Sequence, residues 1–110
     1  MAETRQVLGQ VMPAANTLTD LLDMDGSQAV ISTITVCEQG GAIEQYWVSI
    51  AIAGAPDVSP GPQYIRFSAP LDPFESKDIT IGITLGPLDV IRVKSSAGNV
   101  SFNCFGVKLA

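Results

Sequence analysis

Ala29 to Glu38 reads AVISTITVCE, a long run rich in β-branched residues that stops at the QGGA of 39–42. Valine, isoleucine and threonine lose side-chain freedom in a helix and pack well on a pleated surface, so this composition predicts a strand. Successive side chains of a strand point to opposite faces. The alternation sets Ile34 and Val36 toward a core and leaves Ile31, Thr33, Thr35 and Cys37 on the other side.

The same period-two pattern recurs in both directions. Ile43 to Ala53 carries Tyr46, Val48, Ile50 and Ile52 on one face and Gln45, Trp47, Ser49 and Ala51 on the other. Ile79 to Leu85 alternates isoleucine and leucine with Thr80, Gly82 and Thr84. Gln6 to Met12 ends at Pro13; Thr17 to Leu22, Tyr64 to Ala69 (Ile65 and Phe67 inward) and Val90 to Lys94 follow the same pattern. No stretch of ten or more residues shows the spacing of an amphipathic helix. With the closing stretch Val100 to Ala110, eight candidate strands at roughly ten-residue spacing predict an all-β fold, an antiparallel, jelly-roll-like β-sandwich. A chain of 110 residues is the size of one domain. Residues 1–6 read as a polar N-terminal arm that orders on a neighbour, and 7–110 as a single sandwich domain. Gly54 to Gln63, with three prolines and two glycines, reads as a protruding loop.

In the last strand Cys104 is in phase with Val100 and Phe102, which makes it a small core residue. Phe105 and Gly106 break the alternation as a bulge would, after which Val107 and Leu109 carry the apolar face. Cys37 falls on the outward side of its strand. A disulfide, within or between chains, stays open for the pair.

Chemistry is poorly supplied. The sequence has no histidine, which removes the commonest general base, the usual activator of serine and cysteine, and the commonest zinc ligand. Two cysteines without CxxC spacing cannot close a tetrahedral zinc site. Asp20, Asp23 and Asp25 precede Gly26 as at the start of a calcium loop, but the glutamate that completes such a loop is missing, and a polar turn explains them. Asp72, Glu75 and Asp78 read as a solubilising loop. The expectation is no catalytic site, no cofactor and no metal.

The charge balance is 11 acidic to 6 basic residues, net −5. The basic ones (Arg5, Arg66, Lys77, Arg92, Lys94, Lys108) are scattered, so no stripe tracks a phosphate backbone and no nucleic acid is expected. The longest apolar run, Trp47 to Ala55, falls well short of the ~20 residues of a membrane helix, so no membrane is expected. The first residues lack a basic segment leading into an apolar one, which predicts no signal peptide and synthesis in the cytosol. Only 15 % of residues are charged and mean hydropathy is +0.30, against ~25 % charged in typical soluble domains. The outward faces share that shortage. One reading is that threonine suits strands; the other is that a sheet face made of Ile31, Thr33, Thr35 and Cys37 packs on a neighbour, with Trp47 as an anchor of the kind interfaces favour.

Three segments carry a resemblance. AETRQVLGQVMPAANTLTDLL (2–22), AVISTITVCEQGG (29–41) and DVIRVKSSAGNVSFNCFGVKL (89–109) resemble the small virion structural proteins of tailed bacteriophages. The resemblance implies a short, non-enzymatic β protein without catalytic residues, a capsid decoration or cement protein or a neck or tail appendage. It implies assembly in the infected cell's cytoplasm onto other virion proteins. A homo-oligomer is expected, and three-fold symmetry would suit both locations. The alternative is a β-sandwich of a tail fibre or baseplate that binds host-surface glycans, with Trp47, Tyr64 and Phe74 as stacking candidates.

Overall fold

The chain lays down nine strands among its described residues, 3–109 of a computed structural model: β1 (Glu3–Val11), β2 (Thr19–Asp23), β3 (Gln28–Glu38), β4 (Glu44–Ala51), β5 (Tyr64–Leu71), β6 (Ser76–Ile79), β7 (Ile83–Leu85), β8 (Val90–Ser95) and β9 (Val100–Leu109). A single 3-10 turn, Ile52–Gly54, follows β4. All pairings are antiparallel. The first sheet runs β1-β9-β3-β6, with β7 also on β3, and the second runs β2-β8-β4-β5. Consecutive strands therefore alternate between sheets until β5, and β8 and β9 return to their centres. With β6 and β7 counted as one interrupted strand, this is the interleaved order of a jelly-roll-like sandwich.

The core lies between the layers. Ile34, Val36, Phe102 and Cys104 of the first sheet meet Tyr46, Val48, Ile91 and Val93 of the second, each 2 % exposed or less. The Tyr46 and Phe102 rings meet across the gap at 6.3 Å and 59°. Burying each aliphatic or aromatic side chain contributes about 1.5–3 kcal/mol, so this double row holds the sheets face to face.

Two bulges rewrite the faces. Ile31 pairs with Gly106 and Thr33 with Phe105, which leaves Ser32 as an extra residue in β3. Val7 pairs with Phe105 and Gly9 with Cys104, which leaves Leu8 as an extra residue in β1. An inserted residue flips the side chains beyond it to the opposite face. Ile31 is thereby turned inward to 1 % exposure, so it is a core residue and leaves the outward set expected of it. The glycine of β9 is not itself a bulge. Gly106 faces the bulged strand, where a Cβ would stand 2.9 Å from Ile31 Cα and closer still to the Val30 carbonyl oxygen. β9 keeps its alternation through that point, so Val107 and Leu109 fall on the outer face and not on the core face.

Other boundaries move for local reasons. The alternating stretch 79–85 is interrupted at Gly82, whose φ is +63°, a conformation glycine adopts without steric cost. Ile81 is thrown outward at 51 % exposure while Ile79, Ile83 and Leu85 stay buried. Ile52, in phase with Ile50 by sequence, sits in the 3-10 turn and is 74 % exposed. Residues Glu3 to Gln6, read from sequence as part of an arm, pair with Gly106 to Leu109 as the first half of β1. Met1 and Ala2 lie outside the described residues.

Candidate functional site

The outer face of the first sheet is built on β9 and β3, its two central strands. β9 presents Ser101, Asn103, Phe105, Val107 and Leu109, and β3 presents Val30, Thr33, Thr35 and Cys37 beside Gln28. No charged side chain stands on this face of either strand among the described residues. The cross-strand rows are matched: Val7, Phe105 and Thr33 lie side by side, as do Val107, Val30 and Thr84. Val7 is 46 % exposed and Val30 41 %, while Phe105, Val107 and Leu109 beside them are half-buried.

Several of its hydroxyl groups find partners locally. Thr35 Oγ1 donates to Asp78 Oδ1 at 3.0 Å, Thr33 and Thr80 hydroxyls lie 3.3 Å apart, and Ser32 Oγ donates to the Phe105 carbonyl at 3.1 Å. Asp78 stands on the flanking β6, and backbone register sets Arg5 opposite Val107 and Glu3 opposite Leu109 at the β1 edge. Toward the other end a shallow groove of about 370 Å³ is lined by Gln10, Met12, Gln39, Ser101 and Asn103 with Val11 and Phe102 at its floor. Gln39 Nε2 donates to Ser101 Oγ across it at 3.2 Å.

The second sheet's outer face is of another kind. Trp47 stands there opposite Lys94, whose ammonium sits 4.4 Å from the indole centroid. Phe67 meets Trp47 edge-on at 6.4 Å and 87°, and Tyr64 meets Phe67 at 5.3 Å and 88°. Edge-to-face packing of this kind suits the quadrupoles of the rings. Phe67 was expected inward; β5 takes two extra residues against β4, and Ser68, at φ +51°, lies where the strand departs from its alternation. Phe67 emerges 49 % exposed. Tyr64 donates its hydroxyl to Asp57 Oδ1 at 2.7 Å, and partial burial together with that hydrogen bond holds its phenol above the usual range.

Arg92 folds the following loop onto this sheet. Its guanidinium donates to the carbonyls of Ala55 at 2.7 Å and Gly54 at 3.5 Å and pairs with Asp20 at 3.5 Å. Gln63 closes the loop by accepting from Val58 N and donating to the Pro56 carbonyl. The start of the loop, Gly54 and Ala55, is thereby tied to the sheet, while residues 56–60, in the segment expected to protrude, are exposed. Ser49 and Ala51 are 1 % exposed although they point outward.

Thr33, Thr35 and Cys37 are therefore brought together, Ile31 is removed to the core, and Trp47 lies on the opposite side of the sandwich. Of the aromatic candidates, Trp47 and Tyr64 join through Phe67. Phe74 is elsewhere, 73 % exposed and within 3.6 Å of the position a Gly41 Cβ would take. Val30 was missed because the bulge at Ser32, silent in the sequence, decides which side it faces, and Phe105 and Val107 because β9 runs through Gly106 without the bulge expected there. Cys104 is fully buried and its thiol is pushed up to about 11 by that burial; Cys37 is half-buried, and both thiols are free. At one end of the sandwich Glu38, 1 % exposed, accepts from Gly40 N at 2.8 Å with one oxygen, while its other oxygen and Asn99 Oδ1 are buried without a partner.

No family model matches the sequence, and no curated protein matches it. Two solved structures are similar to this chain. One is the structure of the infectious bursal disease virus Gx strain, at TM-score 0.39 and 11 % identity, over 97 % of this chain and 30 % of that one. The other is a pentameric capsid protein isolated from metagenomic phage sequences, at TM-score 0.39 and 15 % identity, over 93 % of this chain and 59 % of that one. The chain thus spans less than two thirds of either protein, and likeness at this level transfers no role to it.

Proposed function

We propose that this protein is a non-enzymatic structural component of a tailed-phage virion, assembled in the host cytoplasm as a homo-oligomer that docks on other virion proteins. A capsid decoration or cement protein and a neck or tail appendage are the two forms of this reading. The observation that carries it is the outer face of the first sheet: two central strands without charge, displaying Phe105, Val107 and Val30 beside Thr33, Thr35 and Cys37. A solvated sheet face alternates apolar-in with polar and charged-out, and contiguous exposed apolar surface marks interaction sites. Jelly-roll sandwiches serve capsids and lectins alike, so the fold supports the reading only by analogy. The resemblance of 2–22, 29–41 and 89–109 to small virion proteins points the same way.

The test is immunogold electron microscopy of intact purified virions with antibody against the recombinant protein. Label over the head makes it a decoration protein, label at the neck or tail makes it an appendage, and particles free of label both intact and opened refute the virion role. A second reading, glycan binding, draws on the Trp47–Phe67–Tyr64 cluster, since aromatic faces beside hydrogen-bonding groups suit sugar rings. A glycan array with Trp47→Ala as control tests it; no binding by the wild type removes it.

A further inference from the structure

The two outer faces differ in what already covers them. On the second sheet the chain covers itself: Arg92 ties the 54–55 carbonyls down, and Ser49 and Ala51 are closed off beneath. On the first sheet no segment of the described chain crosses β9 and β3, and exposed Val30 and Val7 stand beside half-buried Val107 and Phe105. We propose that a second copy of this chain covers that face, sheet against sheet, as the self-contact of the oligomer proposed above. The inference rests on that reading and names its partner.

Charge selects the occupant. Each copy carries −5, and like-charged copies repel wherever acidic surfaces meet. The centre of this face carries no charge to oppose the approach; its charged residues stand at the margins, Asp78 on β6 engaged by Thr35, and Glu3 and Arg5 set along the β1 edge by their register with Leu109 and Val107. A partner chosen by opposite charge would find nothing at the centre of the face to pair with, whereas a copy meets valine and phenylalanine with the same. Area permits it. Strands about 4.8 Å apart, four across and about nine residues long at ~3.3 Å each, present on the order of 600 Å² of plane. Side-chain relief brings that near the ~800 Å² per partner of a standard interface. Sheets that pack face to face do so about 10 Å apart, the spacing already used inside this sandwich architecture. Identical faces meet about a two-fold axis, so this surface supports a pair, and any three-fold assembly would draw on other surfaces.

Sedimentation equilibrium of the full chain from ~1 µM to ~1 mM tests it. The wild type is expected to show a reversible monomer–dimer equilibrium, weakened at least tenfold by Val30→Lys and by Val107→Glu, each of which would bury an unpaired charge. Trp47→Ala, on the opposite sheet, should leave the equilibrium unchanged. Because a variant can be lost to misfolding, NMR of the wild type on dilution supplies a second measure: Val30, Phe105 and Val107 signals should shift and those of Trp47 and Lys94 should not. A wild type that stays monomeric at ~1 mM overturns the proposal, as does a dimer indifferent to both charged variants or one whose dilution shifts fall on the second sheet. Binding to purified virions is measured separately. A monomer that still labels particles removes only the pairing, and a dimer that never labels them removes only the virion role.

Discussion

On the outer face of the first sheet Thr33, Thr35, Phe105 and Val107 stand without a charged neighbour on either central strand. On the outer face of the second, Arg92, Lys94, Asp20 and three aromatic rings engage one another and the loop after β4. The pleat is the same in both. What differs is where each side chain spends its hydrogen-bonding and apolar capacity. The second face has turned inward on its own chain, so its charges stabilise a local structure. The first has met only its hydroxyl groups' short-range needs and leaves its apolar surface open.

The sharpest way to break this contrast is at Gly106, which lets β9 run straight between two bulged neighbours and so keeps Phe105 and Val107 outside. Gly106→Val would drive a side chain onto the Val30 carbonyl and Ile31 Cα. Rigid backbone cannot yield as a flexible side chain would, so a loss of about 3 kcal/mol or more is expected in urea denaturation. A variant of near wild-type stability would mean that β3 and β9 do not approach as described.

The next effect separates the two sides of the first sheet through its cysteines. Burial pushes the Cys104 thiol up to about 11, whereas an unfolded thiol titrates near ~8.5. The folded state therefore holds its proton longer than the unfolded state. Its stabilising contribution is intact below ~8.5 and is lost as pH rises toward about 11, with a slope of at most ~1.4 kcal/mol per pH unit. Cys104→Val should flatten that part of the stability–pH curve. In the native protein a maleimide should label Cys37 and spare Cys104; equal labelling would contradict the assignment of the two faces.

Arg92→Ala probes the second face. It removes the donors to two loop carbonyls and the partner of Asp20, a loss of about 1–2 kcal/mol given that hydrogen bonds to charged groups are the stronger kind. The effect should be local, with proteolysis concentrated in 54–63. Unchanged proteolysis would show that Gln63 and Tyr64 hold the loop without the guanidinium.

Much of this was legible before the structure. The β-branched run at 29–38, the alternation in 43–51 and the glycine and proline punctuation sufficed for an antiparallel sandwich with Cys104 in its core. Thr33, Thr35 and Cys37 were correctly grouped because they lie on one side of the bulge. Ile31 was not, because Ser32 inserts between it and Thr33, and nothing in AVISTITV marks which residue will be left unpaired. Phe67 and Ile81 failed for the same reason, through Ser68 and Gly82, each at positive φ. Periodicity counts residues evenly, and bulges are places where the chain does not. Trp47 and Thr33 were joined in one surface because both are outward, but outward from which sheet is a property of topology, carried by long-range pairing alone.

The smallest effect tests whether the first face is built for contact or only for β propensity. Thr35 donates to Asp78 at 3.0 Å in an exposed setting, where water competes for both partners and the bond contributes about 0.5 kcal/mol or less to folding. Thr35→Val keeps the β-branched shape and loses the hydroxyl, so denaturation should shift by no more than that. Self-association should move the other way. The added methyl enlarges the apolar surface at the margin, and the freed Asp78 is at the edge of the sheet, able to turn to solvent. A severalfold tighter dimer with unchanged stability would separate contact from folding at a single residue, because a role confined to strand propensity predicts no change in association at all.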